Sequence, residues 1–288
     1  MPFVRYAAAV LLLCTLAPPA RAQRAGGYQG LTPAPPPSSQ PAPAYETVVT
    51  GSPMWTQDRN FLGTRFWKLD PGKVELELWW RPEWYRGDEP SRHRTQLELE
   101  LGLTKRLQLD IYQRFVSRVD GGERNFSYEG TAIELRVAIP ERYGQMWGNP
   151  VIYLELLSNH DAPDRVEAKL LLGGQLFTPK LLGAVNLTFE CNVDKMKGAP
   201  YQGAPELGAT AAASYEIIAQ RMRLGAEARL IFEREQFRHA TTETSLMLGP
   251  NVSWHLIGHH LKLYATLFFG VTEDSPRFAP WVILASGW

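Results

Sequence analysis

The sequence predicts an all-β protein: a twelve-stranded antiparallel transmembrane β-barrel, wound as a meander and preceded by a disordered N-terminal segment. Three observations predict it. Apolar and polar residues alternate in about twelve strand-length segments, and a period of two is typical of a strand with different solvents on its two faces. The N-terminus has the pattern of a secretion signal. The chain ends in a strand-like segment with an aromatic last residue, Trp288.

The N-terminal signal comes first along the chain. Arg5 precedes the apolar run Ala7 to Leu16, and Ala20-Arg21-Ala22 forms a small-residue cleavage site. The run is too short to span a bilayer as a helix. We therefore expect residues 1–22 to be a signal peptide for Sec-type export that is cleaved near Ala22.

Two segments without strand periodicity follow the signal. Residues 23–45 are rich in Pro and Ala, cannot form a buried core, and are expected to be a disordered tether. Residues 46–72 contain four large aromatic side chains but no sustained period. We interpret them as a lead-in or plug segment that packs at the periplasmic mouth or inside the barrel. The aromatic residues are Trp55, Phe61, Phe66 and Trp67.

The barrel itself is expected over residues 73–288. The predicted strands are 73–81, 94–103, 107–116, 128–139, 150–158, 164–173, 182–191, 205–215, 222–232, 244–254, 261–271 and 279–288. An even count brings both termini to the periplasmic side, as in single-chain bacterial barrels. The connections after odd-numbered strands are longer on average, Ser117–Ser127 among them, which is typical of the extracellular side.

In each strand, alternate residues point to opposite faces, and the two sets of residues predict two different surfaces. Charged residues belong inside, because a basic residue facing lipid at the bilayer midplane costs roughly 2–4 kcal/mol. Aromatic residues at strand ends on the other face are expected to form two girdles. The candidates for lining the lumen are Glu75, Glu77, Glu98, Glu100, Asp110, Arg114, Glu134, Arg136, Glu227 and Arg229. The predicted girdles are Trp80, Phe115, Phe189, Phe232 and Phe269 near the outer end, and Tyr215, Trp254 and Trp288 near the inner end.

The last strand has a recognisable pattern. Trp281-Val282-Ile283-Leu284-Ala285-Ser286-Gly287-Trp288 resembles the C-terminal signal of bacterial outer-membrane β-barrel proteins, in which alternate apolar residues precede a terminal aromatic. Val282, Leu284 and Trp288 match, whereas Ser286 departs from the usual apolar type. The resemblance implies a location in the cell outer membrane, in contact with its lipid, and recognition by the barrel-assembly machinery. It indicates no narrower family.

Composition and motifs exclude several kinds of site. The whole chain carries 30 basic and 30 acidic residues, which gives no electrostatic case for nucleic acid. Cleavage would leave Cys191 as the sole cysteine, so neither an intramolecular disulfide nor a cysteine-based zinc site is expected. The cluster of His255, His259 and His260 is interpreted as a solvated turn, and Ser158-Asn159-His160-Asp161 as a turn before Pro163. No catalytic residues, metal site or cofactor are predicted.

The preferred function is a porin-like channel or passive transporter for small solutes. It depends on the charged inner face, where an excess of acids would give a water-filled passage a mild cation preference. Twelve strands lie between the eight that side chains fill and the sixteen that leave a channel, so an open and a plugged lumen both remain possible. The alternatives are an occluded barrel with a structural or adhesive role, a lipid-modifying outer-membrane enzyme, and a soluble β-rich periplasmic protein.

Overall fold

The computed structural model describes residues 54–87, 89–193, 205–234, 242–258 and 260–288, and they contain one closed barrel of twelve antiparallel strands. The strands are β1 (Val74–Glu83), β2 (Ser91–Gly102), β3 (Leu107–Asp120), β4 (Glu123–Ala138), β5 (Val151–Asn159), β6 (Arg165–Gln175), β7 (Leu181–Asn192), β8 (Glu206–Ile218), β9 (Met222–Arg234), β10 (Thr242–Ile257), β11 (Leu261–Gly270) and β12 (Phe278–Gly287). A short 3₁₀ helix, Met54–Gln57, precedes them. The predicted fold and strand count are confirmed. The predicted signal peptide and tether lie outside the described residues.

The barrel is a meander that closes on itself. Each strand pairs with the next one along the chain, and β1 pairs with β12 from Glu75 opposite Gly287 to Trp80 opposite Val282. Val74 and Trp288 exchange backbone hydrogen bonds of 3.2 and 2.9 Å at the start of this seam. Closure pairs the edge of every strand, which a sheet in lipid requires because no water is available there. We call the end where β1 begins and β12 ends the terminal end, and the opposite end the distal end.

The charged residues of the alternating pattern face inward, and the apolar residues face outward. On β1, Glu75 and Glu77 are buried, whereas Leu76 and Leu78 are 39% and 48% exposed. This is the reverse of a water-soluble protein and matches a barrel whose outer face contacts lipid. No helix among the described residues is long and apolar enough to cross a membrane.

Two local predictions are wrong. The expected loop Ser117–Ser127 is part of a long hairpin in which β3 and β4 continue to a two-residue turn, Gly121-Gly122. Both glycines have positive φ (54° and 91°), the conformation that tight hairpin turns require. In addition, β10 extends to Ile257, so His255 is a buried strand residue rather than part of a solvated turn. His259 lies outside the described residues.

Residues 55–70 run inside the barrel, and we call them the inner segment. Phe61, Phe66 and Trp67 are almost fully buried, as are several of its charged side chains. Its hydrogen bonds reach inward-facing residues of β1, β2, β9, β10 and β11. The segment therefore occupies the lumen in the half nearest the terminal end.

Candidate functional site: the lumen and its inner segment

Arg59 of the inner segment binds the carboxylates of two wall strands. Its Nε and Nη2 donate to the two oxygens of Glu77 at 3.0 and 2.8 Å, and Nη2 also donates to Glu100 at 3.1 Å. The guanidinium carbon lies 4.3 Å from the centre of the Trp79 ring. The fork-shaped contact with Glu77 is the strong, geometrically specific form of an ion pair.

A second layer of charges surrounds this contact. Arg65 of the inner segment pairs with Glu100, and Arg136 of β4 pairs with Asp110 at 3.0 Å, with Glu134, and with Glu100 at 3.5 Å. All these side chains are at most 8% exposed. Glu100 therefore binds guanidinium groups from both the segment and the wall, so it couples the two.

Backbone groups of the inner segment are also bound by the wall. Glu227 on β9 accepts hydrogen bonds from the amides of Leu62 and Gly63, both 2.8 Å long, and from the Thr266 hydroxyl. The Asn251 amide donates to the carbonyl of Asn60. An extended segment without partner strands needs such contacts, because a buried backbone group without a hydrogen bond is costly.

Side-chain contacts of Asp58 also hold the start of the inner segment. Asp58 lies 3.2 Å from Lys262 and 3.1 Å from the His255 ring, and Lys262 also binds Glu75. At the other end of the segment, the Lys68 amine donates to the carbonyls of Leu69 and Thr104. Burial lowers the pKa of Lys68 to about 8, although Asp70 opposes this shift.

The aromatic side chains of the segment pack on one side of the barrel. Phe61, Phe66 and Trp67 form a cluster with inward-facing apolar residues of β5, β6, β7 and β8. Tyr143, in the long connection between β4 and β5, has its ring 5.2 Å from Trp55 and 5.5 Å from Trp67. That connection is long for its side of the barrel, and part of it covers the segment at the terminal end.

The inward-facing arginines of β3, β4 and β6 are more exposed towards the distal end, whereas Glu83 at the distal end of β1 is buried. The side chain of Arg136 is 2% exposed, that of Arg114 is 11% and that of Arg165 is 28%. A cavity of about 100 Å³ lies above the inner segment, on its distal side. It is lined by Arg59, Arg65, Trp79, Arg81, Gln96, Glu98, Tyr112, Arg114, Glu134, Arg136, Tyr153, Lys169, Leu171 and Asn186. The lumen is therefore a vestibule that ends on the inner segment.

The ten candidate lumen residues lie on inward-facing strand positions. Nine are buried and Arg229 is partly exposed, with its guanidinium 5.5 Å from the Trp281 ring. Of the eight predicted girdle residues, seven are 41–61% exposed on the outer face, and Phe115 is partly exposed and stacked on Phe126. Their roles in transport and in membrane anchoring remain predictions.

Sequence reasoning missed two of the cationic partners of the acids, Arg59 and Arg65. Arg59 and Arg65 precede the first strand and follow no period, so no pattern placed them against Glu77 and Glu100. Two groups of buried carboxylates lie close enough to hold a metal ion, one formed by Glu75, Glu77 and Glu100, the other by Glu98, Glu100 and Asp110. Arginine and lysine groups contact both groups. The acids therefore have intramolecular cations as partners.

Two groups of side chains contain residue types that occur in catalytic sites. Asn159 and Asp164 close the turn at Ser158–Asp161 by hydrogen bonds, and His160 is exposed, as the turn interpretation requires. A pair that sequence reasoning missed is Ser91 Oγ and His93 Nε2, 3.3 Å apart near the distal end of β2. Within the described part of the chain no carboxylate hydrogen-bonds to His93, so the pair lacks the third group that orients a catalytic histidine.

Known structures resemble the chain in fold. An outer membrane channel from Pseudomonas putida F1 is 11% identical, with a TM-score of 0.59 over 77% of this chain and 98% of that one. The NanC porin is 10% identical, with a TM-score of 0.48 over 74% of this chain and 97% of that one. The translocator domain of the autotransporter NalP from Neisseria meningitidis is 11% identical, with a TM-score of 0.41 over 75% and 87%.

No protein-family model and no characterised sequence matches the chain. At these identities the structural likeness concerns the fold alone. The closed twelve-stranded wall, its apolar outer face and its charged interior agree with that likeness. The chain has the fold of a bacterial outer-membrane β-barrel protein.

Proposed function

We propose that the protein is a passive outer-membrane channel for small solutes, held closed by its own inner segment. The observation that carries this proposal is that the barrel wall is complete without the segment. All twelve strands pair with their neighbours, including β1 with β12, and the segment contributes no strand. Its displacement would leave a closed sheet around a continuous lumen.

The charges of the lumen then follow from the ion pairs described above. Displacement separates Arg59 and Arg65 from Glu77 and Glu100. The carboxylates of the terminal half would face water, and Arg136 would be the cation left beside Glu100 and Asp110. Rings of carboxylates favour cations, so the open channel is expected to prefer cations.

The proposal includes an orientation in the membrane. The apolar face lies in lipid, and the terminal end faces the periplasm, where the N-terminal tether would remain after cleavage near Ala22. The last strand, ending at Trp288, would be read by the barrel-assembly machinery. This orientation lets the inner segment enter the lumen from the side on which the chain begins.

A permanently occluded barrel with a structural role is the second candidate. It is favoured by the apolar contacts of Phe61, Phe66 and Trp67, which bury large aromatic side chains against the wall. A segment held by such packing could fill the barrel as a core. The two candidates differ in one measurable property, the conductance that remains when the segment is displaced.

Conductance in planar lipid bilayers distinguishes them. We expect few openings of the full-length protein, and steady cation-selective steps from a variant that lacks residues 23–72. Heat-modifiability on a detergent gel verifies that each protein is folded. If the deletion prevents folding, the double variant Arg59→Gln, Arg65→Gln retains the whole chain. A folded variant with a displaced segment and no conductance would overturn the channel proposal and favour the structural barrel.

A further inference from the structure

We infer that the cavity above the inner segment binds a small oxyanion, a carboxylate or phosphate group carried by a small solute that enters from the distal end. The sequence predicted a lumen dominated by acids. The cavity instead has six cationic side chains and two carboxylates in its lining. Its cations are Arg59, Arg65, Arg81, Arg114, Arg136 and Lys169, and its acids are Glu98 and Glu134.

The arrangement of ion pairs explains this difference. Glu77, Glu100 and Asp110 lie beneath the cavity lining, where they bind Arg59, Arg65 and Arg136. The same guanidinium groups extend into the lining. The acids are thus covered by their partners, and the surface that a solute would meet is mostly cationic.

Arg81 is the least satisfied of these cations. Among the described residues no carboxylate lies within ion-pair distance of it, and its Nη2 donates a hydrogen bond to the Gln96 amide oxygen at 2.9 Å. Its guanidinium carbon is 5.2 Å from the Trp79 ring and 5.7 Å from the Trp281 ring. Its Nε is buried without a hydrogen-bond acceptor. Arg94 and Arg114 act on it as like charges, and Glu83 acts on it as an opposite charge beyond ion-pair distance.

Arg136 provides a second donor without an acceptor. The residue is 2% exposed, and its Nη1 makes no hydrogen bond although Nη2 and Nε meet carboxylates. A buried donor without an acceptor is destabilising, and guanidinium groups bind carboxylate and phosphate oxygens in a fork geometry. An oxyanion in the cavity would supply acceptors and reduce the repulsion among the arginines.

The size of the cavity limits the ligand. A volume of about 100 Å³ holds a few water molecules or one small oxyanion, and not a large solute. Side-chain exposure increases from Arg114 to Arg165, so access is from the distal end. The anion would bind the closed state, in which Arg59 and Arg65 cover the acids, so its binding does not depend on the proposed channel function.

Isothermal titration calorimetry on the full-length protein in detergent tests the inference. The probes are inorganic phosphate, acetate, and acetamide as the uncharged counterpart of acetate. We expect saturable binding of phosphate or acetate and none of acetamide, and the stronger of the two anions identifies the class. Arg81→Gln should weaken binding about tenfold or more, because hydrogen bonds to charged groups are the strong ones.

Two further variants keep the test decisive. Arg106→Gln, an exposed residue in the turn between β2 and β3, should bind as the parent does. Arg81→Lys keeps the charge but loses the forked pair of guanidinium donors. It replaces Arg81→Gln in the test if Arg81→Gln is not heat-modifiable and therefore not folded. It should weaken binding by a smaller factor. Absence of saturable binding even at high millimolar anion, or equal binding by the Arg81 variants and the parent, would overturn the inference. Binding by the full-length protein, together with no conductance of the variant that lacks residues 23–72, would instead count against the channel.

Discussion

Arg59 should control how firmly the inner segment is docked. We consider Arg59→Met, which keeps an unbranched side chain of similar length but removes the charge. In the parent, Arg59 makes two hydrogen bonds to Glu77 and one to Glu100, and all three side chains are at most 6% exposed. Removing one partner of a buried ion pair costs about 3–5 kcal/mol, because the remaining charges lose their partner without regaining water.

The expected effect on the docking equilibrium follows from that energy. Each 1.4 kcal/mol is a factor of ten, so the population with an undocked segment should rise roughly a hundredfold to a thousandfold or more. The reporter is a cysteine at Leu62, a residue that is 3% exposed in the docked segment, in a chain with Cys191→Ser. Its rate of reaction with N-ethylmaleimide measures how often the segment leaves the wall.

Two controls isolate the ion pair. Arg106→Met removes a half-exposed arginine whose partner Glu141 is also exposed, and should leave the labelling rate within about threefold of the parent. Adding Glu77→Gln to Arg59→Met should recover part of the loss, because it removes one unpaired carboxylate. A labelling rate for Arg59→Met equal to that of the Arg106→Met control would refute the reasoning.

Three other substitutions test separate parts of the structure. Gly173→Ala should accelerate labelling, because the added Cβ would lie 2.5 Å from the Cβ of Phe66, whereas Gly208→Ala, with Thr188 at 3.3 Å, should leave the rate almost unchanged. Glu227→Ala leaves the amides of Leu62 and Gly63 without acceptors and should weaken docking by about 1–3 kcal/mol for each, measured by the same labelling. Trp288→Ala should lower the amount of heat-modifiable protein in outer-membrane fractions without removing the strand pairing of β1 with β12, since the β12 backbone is retained.

The barrel could be predicted from sequence because each strand has different environments on its two faces, and this imposes an alternating pattern on neighbouring residues. Each strand must alternate, so segments such as Leu76 to Leu78 indicate both the strand and its face. The hairpin beyond Ser117 was missed because residues 123–128 of β4 are exposed on both faces and alternation disappears there; only the Gly121-Gly122 turn marks it. A turn of two glycines between strands was the available signal.

The sequence indicated a lead-in or plug segment before the first strand, but it did not predict which wall residues the segment contacts. Its contacts join residues far apart in sequence, such as Arg59 with Glu100 and Leu62 with Glu227, and no periodicity relates them. The acids on β1 and β2 were correctly expected on one face, but two of their partners, Arg59 and Arg65, come from the segment that precedes the strands. A charged strand face fixes the need for counter-charges, and tertiary packing decides which part of the chain supplies them.

A disulfide that locks the inner segment to the wall tests the central claim most directly. In Arg59→Met with Cys191→Ser, cysteines at Phe66 and Gly173 would have their Cβ atoms 2.5 Å apart, so segment and wall must separate by at least about 1 Å to reach the usual disulfide spacing of about 3.5–4.5 Å. We predict no single-channel conductance in planar bilayers after oxidation, and cation-selective steps once dithiothreitol reduces the bond. Equal conductance before and after reduction would contradict the claim that the inner segment closes the channel.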